Sequence, residues 1–160
     1  MVHNRTKAVL LKRGLIHILI SRKVDYGLRC LIYLAGLKTK ERVSIRDLSK
    51  RLRVSYVFLA KIMQILVRAG IVESRRGKVG GVRLKDRKAK LYKIITLMDP
   101  AFSLNRCLNK EFSCFLKNKC PLRRLLATLE KDLFAKLEKI SLLELTKESP
   151  SPFKFRRTRR

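Results

Sequence analysis

The stretch VSIRDLSKRLRVSYVFLAKIMQILVRAGIVESRRGKVGGVRL, residues 43–84, decides the fold of this chain. Ser44-Ile45-Arg46-Asp47 puts a hydroxyl where it can cap a helix and an acid three residues on to answer it, with Val43 and Leu48 at the flanking staple positions. This predicts a short helix to about Leu52. Ser55 repeats the signal as a second N-cap, with Val54 and Leu59 as its staple, and Leu59, Ile62, Met63 and Leu66 recur as one inward stripe. The second helix stops at Ala69-Gly70, where glycine suits a left-handed cap. Two capped helices a few residues apart form a helix-turn-helix, of which the second is the recognition helix. Ile71-Val72-Glu73-Ser74 then reads as a strand, Gly77, Gly80 and Gly81 as a tip, and Val82-Arg83-Leu84 as the return strand. A hairpin directly after a recognition helix is a wing.

Upstream, Val24, Gly27, Leu28, Leu31, Ile32 and Ala35 mark one face of a helix ending near Gly36, with Cys30 beside the stripe as a small packed thiol. Downstream, Leu91 to Met98 reads as a short helix broken by Asp99-Pro100. Pro121 restarts a helix in which Leu122, Leu126, Leu129, Leu133, Leu137 and Ile140 alternate spacings of four and three. Packing within one subunit is the plainer use of that seam, but a long terminal helix on a small domain more often meets a partner chain, so a homodimer is expected. The fold class is mainly α with a small β-hairpin wing, a winged helix-turn-helix plus a long C-terminal dimerisation helix. The expected divisions are an N-terminal extension over 1–18, a DNA-binding domain over 19–99, a cysteine loop over 100–121, the dimerisation helix over 122–147 and a basic disordered tail over 148–160.

With 46% hydrophobic residues the chain can build a core, so its formal charge of +28 is carried by the surface and calls for a polyanion. Between Arg75 and Lys93 nine cations stand against Asp86 alone, which on a wing makes a phosphate or minor-groove surface. Membrane is excluded as a partner: the apolar stretch Ala8 to Ile20 is interrupted by Lys12, Arg13, Gly14 and His17, short of the roughly 20 apolar residues of a span. It does not read as a signal peptide either, so a cytoplasmic location is expected. An enzyme is not expected, because no Ser/His/Asp or paired-carboxylate constellation is present and the two histidines, His3 and His17, lie in the N-terminal extension.

Cys107, Cys114 and Cys120 are separated by six and five residues, long enough for a loop to wrap a polynuclear centre and unlike the tight clasp of common zinc folds. Thiolates suit iron–sulfur clusters, zinc and copper(I), so residue type leaves the metal open. Structural zinc and a metal-free thiol switch are the plainer readings.

Three segments resemble the Rrf-two family of winged-helix transcription regulators, in its IscR-, NsrR- and RirA-like branches. They are Ser21-Arg22-Lys23-Val24-Asp25-Tyr26-Gly27-Leu28-Arg29, Leu66-Val67-Arg68-Ala69-Gly70-Ile71-Val72, and Arg76-Gly77-Lys78-Val79-Gly80-Gly81-Val82-Arg83-Leu84, and the likeness covers about residues 20–145. The resemblance implies a homodimeric regulator of double-stranded DNA with a palindromic operator and an iron–sulfur cluster, 4Fe-4S ahead of 2Fe-2S, sensing redox state, nitric oxide or iron. Cys107, Cys114 and Cys120 would be ligands. The histidine that IscR-like members carry three residues after the last cysteine is Arg123 here, which cannot ligate. The nitric-oxide-sensing branch draws an acid from the first helix of the other subunit, and Asp25 occupies the matching place; its plainer reading is an acid complementing the helix dipole. DNA contacts are expected from Ser55, Tyr56, Val57, Phe58 and Lys61 on the helix, and from Arg76, Lys78 and Arg83 on the wing. The alternatives are a cluster-free thiol- or metabolite-responsive regulator of the same fold, or a general basic RNA-binding or ribosome-associated protein.

Overall fold

The computed structural model describes residues 20–77, 80–109, 112–116 and 119–148. The extension, the tail beyond residue 148 and Lys78 lie outside them. Helix α1 (Arg22–Ala35) buries Val24, Gly27, Cys30, Leu31 and Leu34. A side chain at Gly27 would collide with the Met98 sulfur, so the missing Cβ is what lets α1 cross the later helix closely.

Helix α2 (Ile45–Leu52) starts as its sequence dictates: the Asp47 N–H donates to Ser44 Oγ at 3.0 Å, and the Ser44 hydroxyl donates to the Asp47 carboxylate at 2.7 Å. It ends at Arg53, whose left-handed φ of 51° turns the chain into α3 (Tyr56–Arg68). Leu59, Ile62, Met63 and Leu66 of α3 are all buried, as their spacing predicts. Ser55 occupies the N-cap position, but its hydroxyl makes no cap hydrogen bond, a correction to the sequence reading. Gly70 closes the helix at φ +72°.

The wing is an antiparallel pair, β1 (Val72–Arg75) and β2 (Gly81–Leu84), in register from Val72↔Leu84 to Arg75↔Gly81. Val43 and Val82 exchange backbone hydrogen bonds of 3.0 and 2.8 Å, so the residue before the α2 cap is pinned to the returning strand. Gly81 has φ +129°, and a Cβ there would press on the Val43 backbone. The close approach at this glycine is made by the protein's own chain.

Helix α4 (Leu91–Met98) is buried along Leu91, Ile94, Ile95 and Met98. After the cysteine loop come α5 (Pro121–Lys139) and α6 (Leu142–Glu148). The continuous helix expected over 122–147 is therefore two. The Ser141 N–H donates to the Glu144 carboxylate at 2.5 Å and the Glu144 N–H to Ser141 Oγ at 3.2 Å, a reciprocal cap that starts a new helix. Residues 140–143 also bond to 87–91, through Leu91 N–H to Ile140 O and Leu142 N–H to Ala89 O, both 3.0 Å. Leu142 is fully buried with Leu31, Leu48, Leu59, Leu66 and Ile94, so the domain expected to end at 99 is closed by a segment some forty residues later. Each such leucine contributes about 1.5–3 kcal/mol by leaving water. Among the described residues no helix is long and apolar enough to cross a membrane.

Candidate nucleic-acid interface and cysteine loop

Because one face of α3 is spent on the core, its opposite face is turned outward by the helical repeat. Tyr56 and Val57 are 50% and 61% exposed, and Ser55, Lys61 and Gln64 are exposed with them. Phe58 is not part of that face: it is half-buried and meets Tyr26 of α1 edge-on at 6.0 Å. The contact expected of Phe58 is corrected accordingly, since an aromatic ring in the first turn is better buried than wet.

The wing's charge is less free than its sequence suggests. Glu73, directly opposite Arg83 across the hairpin, accepts from Arg83 Nε at 2.7 Å and from Arg42 Nη2 at 2.5 Å, while Arg42 also reaches the Gly81 carbonyl at 3.3 Å. These hydrogen bonds, from Arg42 first and Arg83 second, hold the Glu73 carboxyl below the usual carboxylate range. A depressed carboxylate stabilises the fold above its unfolded value and loses that effect as pH falls through the folded one, so the triad is intact at neutral pH. Arg83, expected on the DNA, is engaged in this internal triad; Arg76 is exposed. Arg87 donates to the Ala35 and Leu37 carbonyls, at 3.0 and 3.2 Å, and Lys90 to the Lys139 carbonyl at 2.8 Å, so both serve helix ends.

The cysteine loop begins at Leu104, whose N–H donates to the Glu130 carboxylate of α5 at 2.5 Å. Cys107 sits in a single 3₁₀ turn (Arg106–Leu108), Cys114 in irregular chain beside the 96% exposed Phe115, and Cys120 at the N-cap of α5. All three are half-buried free thiols, whereas Cys30 is fully buried and its thiol is pushed up to about 12 by that burial. Arg123 joins the loop's ends: its N–H donates to Cys120 Sγ at 3.4 Å and its Nε to the Cys107 carbonyl at 2.9 Å. Among the described residues no three His, Cys, Asp or Glu side chains are gathered closely enough to hold a metal ion. Asp25 lies in the first turn of α1, half exposed, and pairs with Arg29 at 2.9 Å.

Helix α5 is split lengthwise. Phe134 packs on Tyr92 of α4 at 5.0 Å and on Phe102 at 5.6 Å, and Leu137 touches the core. Leu122, Leu125 and Leu129 remain 60%, 57% and 47% exposed along the other side. Leu125 stood outside the seam read from the sequence.

A family model named Rrf2, described as an iron-dependent transcriptional regulator, matches residues 20–148. The chain is 31% identical over 135 residues to protein aau3 of Rhizobium meliloti, covering 82% of this chain and 86% of that one. Among solved structures, the T. potens IscR covers 91% of this chain and 96% of its own at 24% identity and a TM-score of 0.63. Staphylococcus aureus CymR covers 79% and 97% at 24% identity and a TM-score of 0.63. A putative regulator from Listeria innocua covers 85% and 92% at 24% identity and a TM-score of 0.68.

Proposed function

The chain belongs to the Rrf2 family of transcriptional regulators, and on that premise we propose that it is a sequence-specific DNA-binding regulator acting as a homodimer. The observation that carries this reading is the first two turns of α3, where Tyr56, Val57 and Lys61 face outward from a helix whose other face is wholly buried. A helix so anchored enters the major groove as a rigid element, its side chains meeting base edges while wing cations meet phosphates. Two copies then require a palindromic operator with half-sites spaced near one helical turn or a multiple.

Cys107, Cys114 and Cys120 are the ligands we assign to an iron–sulfur cluster, 4Fe-4S ahead of 2Fe-2S, with the partner subunit's Asp25 as the fourth. The donor set fits by its chemistry, three soft thiols on one loop whose ends Arg123 holds together. Such a cluster, when bound, supplies a centre that oxidation, nitric oxide or iron loss can alter. The chain's own part is to hold the loop against α5 through Glu130 and Arg123, so that loop rearrangement is felt by the helix bearing the exposed leucines. A cluster-free, thiol-responsive regulator of the same fold is the second reading. What favours it is that the three sulfurs stand as separate half-buried thiols, each accessible to an oxidant.

One experiment separates these. Purified anaerobically, the full chain should enrich palindromic duplexes from a random pool and carry a coloured centre with iron and sulfide. Failure to bind any duplex at low salt overturns the regulator. A colourless, iron-free protein that still selects DNA removes the cluster alone.

A further inference from the structure

Between α2 and the wing lies an open cleft of about 990 Å³, and Tyr56, which opens the recognition helix, forms part of its wall. Five of its charged lining residues are cations and two are acids. They are not equivalent. Arg42 is held by Glu73, Arg51 lies over the Tyr33 ring at 5.8 Å, and Asp47 is occupied by the Ser44 cap. That leaves Arg46, Lys50 and Arg75, with Glu41 as the remaining acid of the lining. All three cations are exposed, and their side chains make no hydrogen bond or ion pair among the described residues.

Arg46 and Lys50, four residues apart, share one face of α2, and Arg75 ends β1 on the opposite wall. A small anion needs converging, desolvated donors, whereas cations on two walls of an open trough suit a polyanion held at several points. The trough also runs on from the end of α3 that meets bases.

We propose that this cleft seats the sugar-phosphate backbone of the duplex that α3 reads, with Arg46, Lys50 and Arg75 as phosphate contacts and Glu73 as the positioning residue that reserves Arg42 and Arg83 as struts of the wing. The proposal rests on the DNA-binding reading above. Glu73 sets the width of the trough by tying β1, β2 and residue 42 together; the Val43–Val82 hydrogen bonds hold the same junction.

The test is the salt dependence of binding by the full chain to a random-sequence duplex of about three helical turns. Each phosphate contact contributes about 0.9 to the slope of log affinity against log salt, so Arg46→Gln, Lys50→Gln and Arg75→Gln together should flatten it by about 2 to 3 per bound protomer. Arg83→Gln should leave the slope unchanged. Glu73→Gln should weaken sequence preference while steepening the slope by about 1 to 2, because two cations are released to the DNA; loss of a merely structural residue would not steepen it. Thermal unfolding checks that each variant is folded. A wild type that binds no duplex defeats both the regulator and this cleft. A wild type that binds, with an unchanged slope in the triple variant, a slope unmoved by Glu73→Gln, or an Arg83→Gln loss equal to that of Arg46→Gln, defeats the cleft alone. Tighter binding to an RNA hairpin of equal charge at the same salt means that the occupant is wrong.

Discussion

Lys61 stands on the outward face of α3, one turn from Tyr56 and Val57, with no internal partner among the described residues to compete for its charge. Replacing it with Ala should cost about 1–3 kcal/mol on the preferred operator and little on random DNA. Arg76→Ala should instead weaken both alike, as a phosphate contact does; competition titrations against the two duplexes measure the difference, and equal losses from Lys61→Ala would remove its role in base reading. The same distinction between a free group and a spent one runs through the cysteines. Cys30 is locked into the core between α1's neighbours, and a thiol pushed up to about 12 stays protonated at neutral pH. Cys107, Cys114 and Cys120 are open to chemistry. No spacing rule separates Arg76 from Arg83, for what distinguishes them is a carboxylate across the hairpin.

Among the elements, α6 does the least expected thing. Its first residue, Leu142, is fully buried and the helix packs on α1, although the sequence between α4 and α6 is long enough to hold a loop and a nineteen-residue helix. Leu142→Ala should therefore destabilise the whole domain by about 2–5 kcal/mol, a core-cavity cost, readable as a shift of the denaturant midpoint with unchanged slope. A loss below about 0.5 kcal/mol would make α6 a surface appendage. The signal was present in Ser141-Leu142-Leu143-Glu144, which has the same form as the cap at Ser44. It was hidden because leucines continue through it at nearly helical spacing.

For the molecule as a whole, the unresolved demand is the exposed row Leu122, Leu125 and Leu129 on α5. Leucines at three- and four-residue spacing on one helix face form a seam for a second helix, and the homodimer proposed above places a second α5 there. Substituting all three with Lys should convert a dimer into a monomer in sedimentation and sharply weaken palindrome binding, without lowering the unfolding midpoint of the isolated domain. A monomeric wild type, or a variant that still sediments as a dimer, would assign this face another use. Local order was legible in the chain itself: the two helices, the first with its Ser44 cap, the inward stripe of α3, the wing and the short α4 are each specified by neighbours a few residues apart, through capping, periodicity and glycine conformation. The distribution of charge and burial was decided only by the fold. Whether Arg83 meets Glu73 or a phosphate, whether Phe58 meets Tyr26 or a base, and whether Leu142 meets the core or a partner depends on residues distant in sequence, because ion pairs and packing form between side chains that only the folded backbone brings together.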